Sequence, residues 1–339
     1  MKHSCLLYIA MLALVGCAEG VSDDDKGDDG PLRTVLDTDT DTDTDPDTDD
    51  TDTDTEPPFD CTTVPDQPLS SSQMDIETTE DFDFDAEGQM VFADWLGSTL
   101  FGVDIDRNFS VIATGIYDTR GISVLADGRI IIAYIGNGTI AIMDPVTGSN
   151  TVLLSNLSQP NALEVGDNDL VYFSEIGANQ RVMELNISTL ETKPVAGGFT
   201  YPNGLVLNAN HDILYVSDFQ AGIYAVPKNA DGTWGDKYLV HNPPGDSYDG
   251  MAVDVCDNLY VLSFNGGKIV RMDMNQPAPY DPVVVAELTD PQAFLWNALH
   301  WGSDRGGWNR DTLYVTDRNK IFALEMGVPG KRQPIDDLP

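Results

Sequence analysis

A six-fold internal repeat constrains this chain more than any other feature. Its clearest copy runs Tyr201-Pro202-Asn203-Gly204-Leu205 and on to Leu214-Tyr215-Val216-Ser217-Asp218. A polar residue and a glycine lead into one apolar run, and a second apolar run follows about ten residues later. The figure returns at Asn161-Ala162-Leu163, Asp249-Gly250-Met251 and Asn297-Ala298-Leu299. Weaker copies stand at Arg120-Gly121-Ile122 and at Glu80 before Phe82 and Phe84. The six lead residues, Glu80, Arg120, Asn161, Asn203, Asp249 and Asn297, are spaced 40, 41, 42, 46 and 48 residues apart. Repeats of this length, each holding short strand runs, mark a β-propeller.

The fifth copy shows the grain of one blade. Met251 to Val255 is followed by a turn at Asp257-Asn258, then Leu259 to Ser263, a turn at Asn265-Gly266-Gly267, and Lys268 to Met272. Asn-Gly and Gly-Gly between apolar runs signal hairpins because such turns need positive φ. Third strands are expected over Phe101–Asp104, Ile140–Asp144, Val182–Leu185, Ile223–Val226, Ile269–Asp273 and Ile321–Leu324. No segment sustains a helical period. The expectation is an all-β, six-bladed propeller with four-stranded blades. Leu69 to Thr78, ahead of the first repeat, is the candidate outer strand that completes the last blade.

The segments flanking the repeats read differently. Residues 1–17 have a basic start and an apolar run, Cys5 to Val15, too short for a permanent span, as in an export signal. The run ends in Leu14-Val15-Gly16-Cys17, which resembles the lipobox of bacterial lipoproteins. That resemblance implies cleavage before Cys17 and lipidation of Cys17. With Ala18 next, it also implies an envelope protein anchored in the outer membrane or at the cell surface. Residues 18–60 hold 18 acidic and two basic side chains, and Asp37 to Thr55 is close to a Thr-Asp alternation. Without core-forming residues and with like charges repelling, this stretch reads as a disordered tether. Residues 61–328 form the propeller region and residues 329–339 a C-terminal tail.

The net charge is −38, and residues 61–339 alone carry −23. Such an acidic surface argues against nucleic acid and anionic lipid as partners. It suits a soluble monomer and a cation site. With Cys5 removed and Cys17 lipidated, only Cys61 and Cys256 remain. In an exported domain that predicts a Cys61–Cys256 disulfide, worth roughly 4–5 kcal/mol by loop closure.

Inner strands of a propeller start at one end of the central channel, so the six lead residues are expected to face one another there. Five of the six offer oxygen donors, and two are carboxylates. That set suits a hard divalent cation, calcium before magnesium. The same residue types are also ordinary turn formers, which each blade needs at this place.

Residues 75 to 326, and best of all Pro202–Asp218 and Tyr248–Asp273, resemble the senescence marker protein/gluconolactonase propellers. Paraoxonase and diisopropyl fluorophosphatase are more distant cousins. The resemblance implies a divalent cation in the channel, held by Glu80, Asn161, Asn203 and Asp249. It also implies that Asp249 acts as base or nucleophile. The family's first ligand usually stands in Glu-Gly-Pro, whereas Glu80 is followed by Asp81-Phe82, and Glu77 is a nearby alternative. Arg120 is not a family ligand position; it binds an anionic substrate group or pairs with an acid such as Glu80.

No Ser-His-Asp order or nucleophile elbow is present. The chemistry expected is therefore carbonyl polarisation by the cation, with a carboxylate accepting the proton of water. Asn297 and His300, three residues apart, are candidate contacts for a small-molecule substrate. Trp95, Phe219, Tyr248, Trp296 and Trp301 are candidates for the pocket mouth. Asp94, Glu175, Asp218 and Asp317, which follow the second strands, read as turn caps at the end away from the ring. Two functions compete: a calcium-dependent hydrolase of a lactone or related ester, and a non-catalytic, surface-displayed propeller that binds a partner and holds a structural calcium.

Overall fold

The computed structural model describes residues 59–337 apart from 77–78, 95–96, 243, 265, 289–295 and 318. The expectations about the signal segment, Cys17, the Thr-Asp stretch, Glu77 and Trp95 lie outside the described residues. Those described form six four-stranded antiparallel sheets, the blades of a propeller, with only two short 3-10 turns besides. In five blades the strands follow in chain order. In the sixth, Ser70–Asp75 lies outermost, beside Lys320–Glu325, Thr312–Asp317 and the inner strand Trp296–Trp301. Its register runs from Ser70 opposite Glu325 to Asp75 opposite Lys320. The N-terminal strand thus completes the last blade, as the sequence predicts, and the six third strands fall within two residues of their expected bounds.

Burial explains why the pattern reads as it does. Inner and second strands are covered on both faces by neighbouring blades, so their sequences are apolar runs. Pro202–Leu207, Ile130–Tyr134 and Asn258–Ser263 are buried at every position. Outer strands meet water: Phe109–Thr114 has no buried residue. Apolar clusters bridge neighbours, as where Val206 and Tyr215 of the fourth blade meet Met251 and Leu259 of the fifth.

The inner strands share one irregularity that positions the site. Pairing with the second strand slips between Thr119 and Ile122, Pro160 and Leu163, Pro202 and Leu205, Tyr248 and Met251, and Trp296 and Leu299. Each lead residue of these five blades is the second residue of its strand, inside the slip. A bulge of this kind re-aims a side chain that regular pairing would turn into a blade face. In the first blade the inner strand begins at Phe82, two residues after Glu80. Three leads are followed by glycine for a steric reason. A Cβ on Gly121, Gly204 or Gly250 would lie 2.4, 2.3 or 2.7 Å from the carbonyl oxygen of Asn161, Asp249 or Asn297 in the next blade.

The end of the channel where inner strands start is here called upper. At the lower end the residues after Lys320–Glu325 cross the ring. Pro329 accepts from the Val255 amide at 3.0 Å, and the Lys331 amide donates to the Val253 carbonyl at 3.0 Å. Ile335 is buried against the core between the first two blades. Cys61 and Cys256 form a disulfide at this same end, Cys256 lying in the turn between Tyr248–Val253 and Asn258–Ser263.

Candidate functional site

The lead residues meet around a cavity of about 60 Å³ in the central channel, lined by Glu80, Arg120, Asn161, Asn203, Asp249 and Asn297. On the scale of one water per ~10–15 Å³, it has room for an ion with a few waters. Asn161 Nδ2 donates to Asn203 Oδ1. Asn297 Nδ2 donates to Glu80 Oε2 at 3.2 Å, and Arg120 Nε lies 3.8 Å from Glu80 Oε1. Asn297 Oδ1 is buried without a hydrogen-bond partner. Asp249 is 8% exposed, and among the described residues no hydrogen bond reaches its carboxylate. Burial, then the charges of Glu80 and Asp81, hold its pKa well above the usual carboxylate range, against the opposing field of Arg120.

Two serines brace the ring from behind. Ser217 Oγ accepts from the Gly204 amide at 2.7 Å and donates to the Asp249 carbonyl at 2.7 Å. Ser174 Oγ accepts from the Ala162 amide at 3.0 Å and donates to the Asn203 carbonyl at 3.0 Å. Each hydroxyl ties one blade's inner strand to the next, so the spacing of the lead side chains depends on the second strands.

A second tier lies three residues further along the inner strands. It includes Asp83, Glu164 and His300. Asp83 Oδ2 accepts from the Val124 amide at 2.7 Å, and Glu164 Oε1 from the Leu207 amide at 2.9 Å. Lys331 Nζ, reaching in from the C-terminal segment, donates to Glu164 Oε1 at 2.6 Å and is 2% exposed. His300 Nε2 lies 3.1 Å from Asp81 Oδ1. Burial pushes the imidazole pKa down, but the Asp81 hydrogen bond and the charges of Asp81, Asp83 and Glu164 outweigh it and raise the value.

The structure thus brings all six leads and His300 to one channel. Arg120 lies beside Glu80, and His300 faces Asp81 one level below the ring. Asp81, Asp83, Glu164 and Lys331 are channel residues that the sequence reading missed. The first three were within reach, since Asp83 and Glu164 follow leads by three as His300 does, and Asp81 adjoins Glu80. Among the described residues no three of His, Cys, Asp and Glu converge as a metal cluster. A cation here would rest on two carboxylates and neutral amide oxygens.

Two expectations need correction. The acids after the second strands lie at the upper end, not away from it, because antiparallel pairing sets Glu175 against Pro160, Asp218 against Pro202 and Asp317 against Trp296. They stay outside the ring because they lie one strand further out. There Asp218 accepts from the Thr200 and Tyr201 amides at 2.7 Å each, and Glu175 from the Ser158 amide at 2.6 Å. Tyr248 and Trp301 do not line the mouth: they are buried between blades, at 2% and 5% exposure. Phe219 is at the upper rim, its ring centroid 5.8 Å from that of Tyr201.

Comparison with known proteins gives the same architecture. The family model described as the SMP-30/gluconolactonase/LRE-like region matches residues 82–278, more than half of the chain. Among solved structures, a gluconolactonase of Xanthomonas campestris is 19% identical with a TM-score of 0.64, over 78% of this chain and 91% of that one. A calcium-binding protein, regucalcin, from Agrobacterium tumefaciens is 14% identical with a TM-score of 0.61, over 77% and 93%. Virginiamycin B lyase from Staphylococcus aureus is 12% identical with a TM-score of 0.56, over 76% and 99%. Similarities this low establish the fold alone. No curated protein matches the chain.

Proposed function

Since the chain belongs to the SMP-30/gluconolactonase/LRE-like family, we propose that it is a calcium-dependent hydrolase of a lactone or related ester, working at the upper end of its channel. The observation that carries this reading is Asp249, a buried carboxylate that no hydrogen bond reaches among the described residues, set among Glu80, Asn161, Asn203 and the orphaned Asn297 Oδ1. An acid so placed needs either a proton or a cation. Charge balance favours a cation: Glu80, Asp81, Asp83, Glu164 and Asp249 outnumber Arg120, His300 and Lys331 by two. Glu80, Asn161, Asn203 and Asp249 would hold the ion.

A bound divalent cation supplies Lewis acidity to the ester carbonyl. The chain's own groups then manage the proton. Asp249 takes it from the attacking water and returns it to the alkoxide that leaves when the acyl C–O bond breaks. Arg120, on the opposite side of Glu80, orients an anionic substrate group.

The test is metal analysis of the purified protein, melting with and without chelator, and a lactone and aryl-ester screen. Asp249→Asn should weaken calcium binding about tenfold to a hundredfold and abolish hydrolysis at saturating calcium. A wild-type protein that holds no divalent cation, and whose melting ignores chelator, overturns the reading. Calcium that raises the melting temperature with no hydrolysis of any ester would favour the non-catalytic alternative.

A further inference from the structure

The rim above the ring carries a chemistry that the ring does not use. Most exposed large apolar side chains lie on outer strands, as Val111, Val152 and Leu239 do, where every blade meets water. Tyr201 does not. It immediately precedes the inner strand Pro202–Leu207, two residues before Asn203, and is 39% exposed. Its place is fixed: its amide donates to Asp218 Oδ1 at 2.7 Å, and its carbonyl accepts from the Phe219 amide at 2.9 Å. Its ring centroid lies 5.8 Å from that of Phe219, which in turn lies 4.8 Å from that of Phe264. Both phenylalanines are partly exposed.

The phenylalanines occupy equivalent places in adjacent blades. The Phe264 amide closes its inner hairpin on the Ser247 carbonyl at 2.8 Å, as that of Phe219 does on Tyr201. Ile135 and Ile176 stand in the same relation to Asp118 and Gln159 in the second and third blades. Apolar groups therefore recur just outside a ring made of oxygens and charge. Tyr201 adjoins that ring through Asn203, two residues on, and its hydroxyl lies within the fields of Arg120, Asp249 and Glu80. On a chain with a net charge of −38, a partly exposed aromatic row beside a polar cavity is a surface with a purpose.

We infer that the Tyr201–Phe219–Phe264 row binds the apolar part of the substrate, so that the preferred lactones carry an alkyl or aryl substituent and polyhydroxylated sugar lactones are disfavoured. Polar ring and apolar rim together fit an amphiphilic molecule, with its carbonyl directed to the leads and its hydrocarbon laid across the aromatic faces. Its consequence for turnover rests on the hydrolase reading; its consequence for binding does not.

The experiment therefore uses ligands that cannot be hydrolysed. The calcium-loaded full-length protein is titrated calorimetrically with δ-lactams bearing butyl, hexyl and octyl groups, and with gluconolactam. A fully buried methylene is worth about fourfold in affinity, so a half-buried chain should tighten binding roughly twofold per added methylene. Gluconolactam should bind more weakly than all three. Tyr201→Ala and Phe219→Ala should flatten the series, whereas Tyr201→Phe should keep it; unchanged circular dichroism shows that the variants fold. Equal affinities across the series, no heat from any lactam, or a slope that survives Tyr201→Ala overturns the inference. A length-dependent series in a protein that hydrolyses no lactone would keep the binding row and remove the hydrolase; hydrolysis without a length dependence would do the reverse.

Discussion

Carboxylates are buried at both ends of the inner strands, yet the two ends match them differently. At the lower end Asp254 accepts four hydrogen bonds, from the Cys256 and Asn258 amides, Asn258 Nδ2 and Tyr260 Oη, at 2.7 to 3.1 Å. Nearby, Glu164 holds both the Leu207 amide and the Lys331 ammonium. At the upper end Asp249 is as buried as Glu164, yet among the described residues its carboxylate accepts nothing and Asn297 Oδ1 faces no donor. Burial costs a polar group several kcal/mol unless donors replace water. Where the fold supplies them the acid is architecture. Where it withholds them at the mouth of a cavity, the acid is open to the ion proposed above.

Breaking the matched end should have the largest effect on stability. Lys331→Met strands Glu164 without its cation, a loss of about 3–5 kcal/mol for a buried pair. For a domain of this size that is a fall of roughly 10 °C in melting temperature. A fall of under 2 °C would show that water relieves Glu164 and that the lower end is less closed than its contacts imply.

A pH series reads the cost of burial at two further acids, Asp83 and Asp85, that no lysine or arginine among the described residues pairs as Lys331 pairs Glu164. Burial is the leading cause that raises Asp83 and Asp85 to about 6, against the charge of His300 at Asp83 and the hydrogen bonds from backbone amides at both. With folded values above the unfolded value of 3.8, the native state holds more protons than the unfolded chain between about pH 4 and 6. Stability therefore falls as pH rises through that window, and the cost is complete above about pH 6. At ~1.36 kcal/mol per pKa unit, each acid accounts for about 2–3 kcal/mol. Asp85→Asn should flatten the fall by up to that amount when urea unfolding at pH 4.5 is compared with pH 7. An unchanged slope would refute this assignment.

The smallest effect is expected behind the ring. Ser217→Ala removes the hydroxyl that joins the Gly204 amide to the Asp249 carbonyl and should cost about 1–2 kcal/mol. Calcium affinity should fall by less than tenfold, and Ser217→Thr should restore it. A calcium affinity as poor as that of Asp249→Asn would make the serine a partner in the site and blur the contrast between brace and ligand.

Much of this was legible in the sequence because each lead residue precedes an apolar run at a regular interval, and apolar runs are what strands covered on both faces require. The closing role of Ser70–Asp75 followed from counting strands. The inner-strand bulges were not legible, since a slip in pairing belongs to two strands at once. Glu164 was hidden because a single acid inside an apolar run looks like noise until the six copies are superimposed, and Asp83 because in Asp81-Phe82-Asp83-Phe84-Asp85 it reads as the polar face of a half-buried strand. Lys331 could not be found at all: the segment after the last strand repeats nothing, and its partner is 167 residues away. The acids after the second strands were misplaced by following the chain outward and overlooking that an antiparallel neighbour returns to its starting end.

The disulfide has a mechanical consequence. Ser70–Asp75 is held in the sixth blade by a ladder against Lys320–Glu325, which a pull from its Ser70 end would open one bond at a time, like a zip. Cys61 lies upstream of that ladder and is fastened to Cys256, in the inner hairpin of the fifth blade. Tension arriving from the N-terminal side of Cys61 passes through the sulfur bridge into that hairpin and bypasses the zip. The strand that closes the ring is thereby unloaded, and the line of force runs along the face opposite the channel mouth.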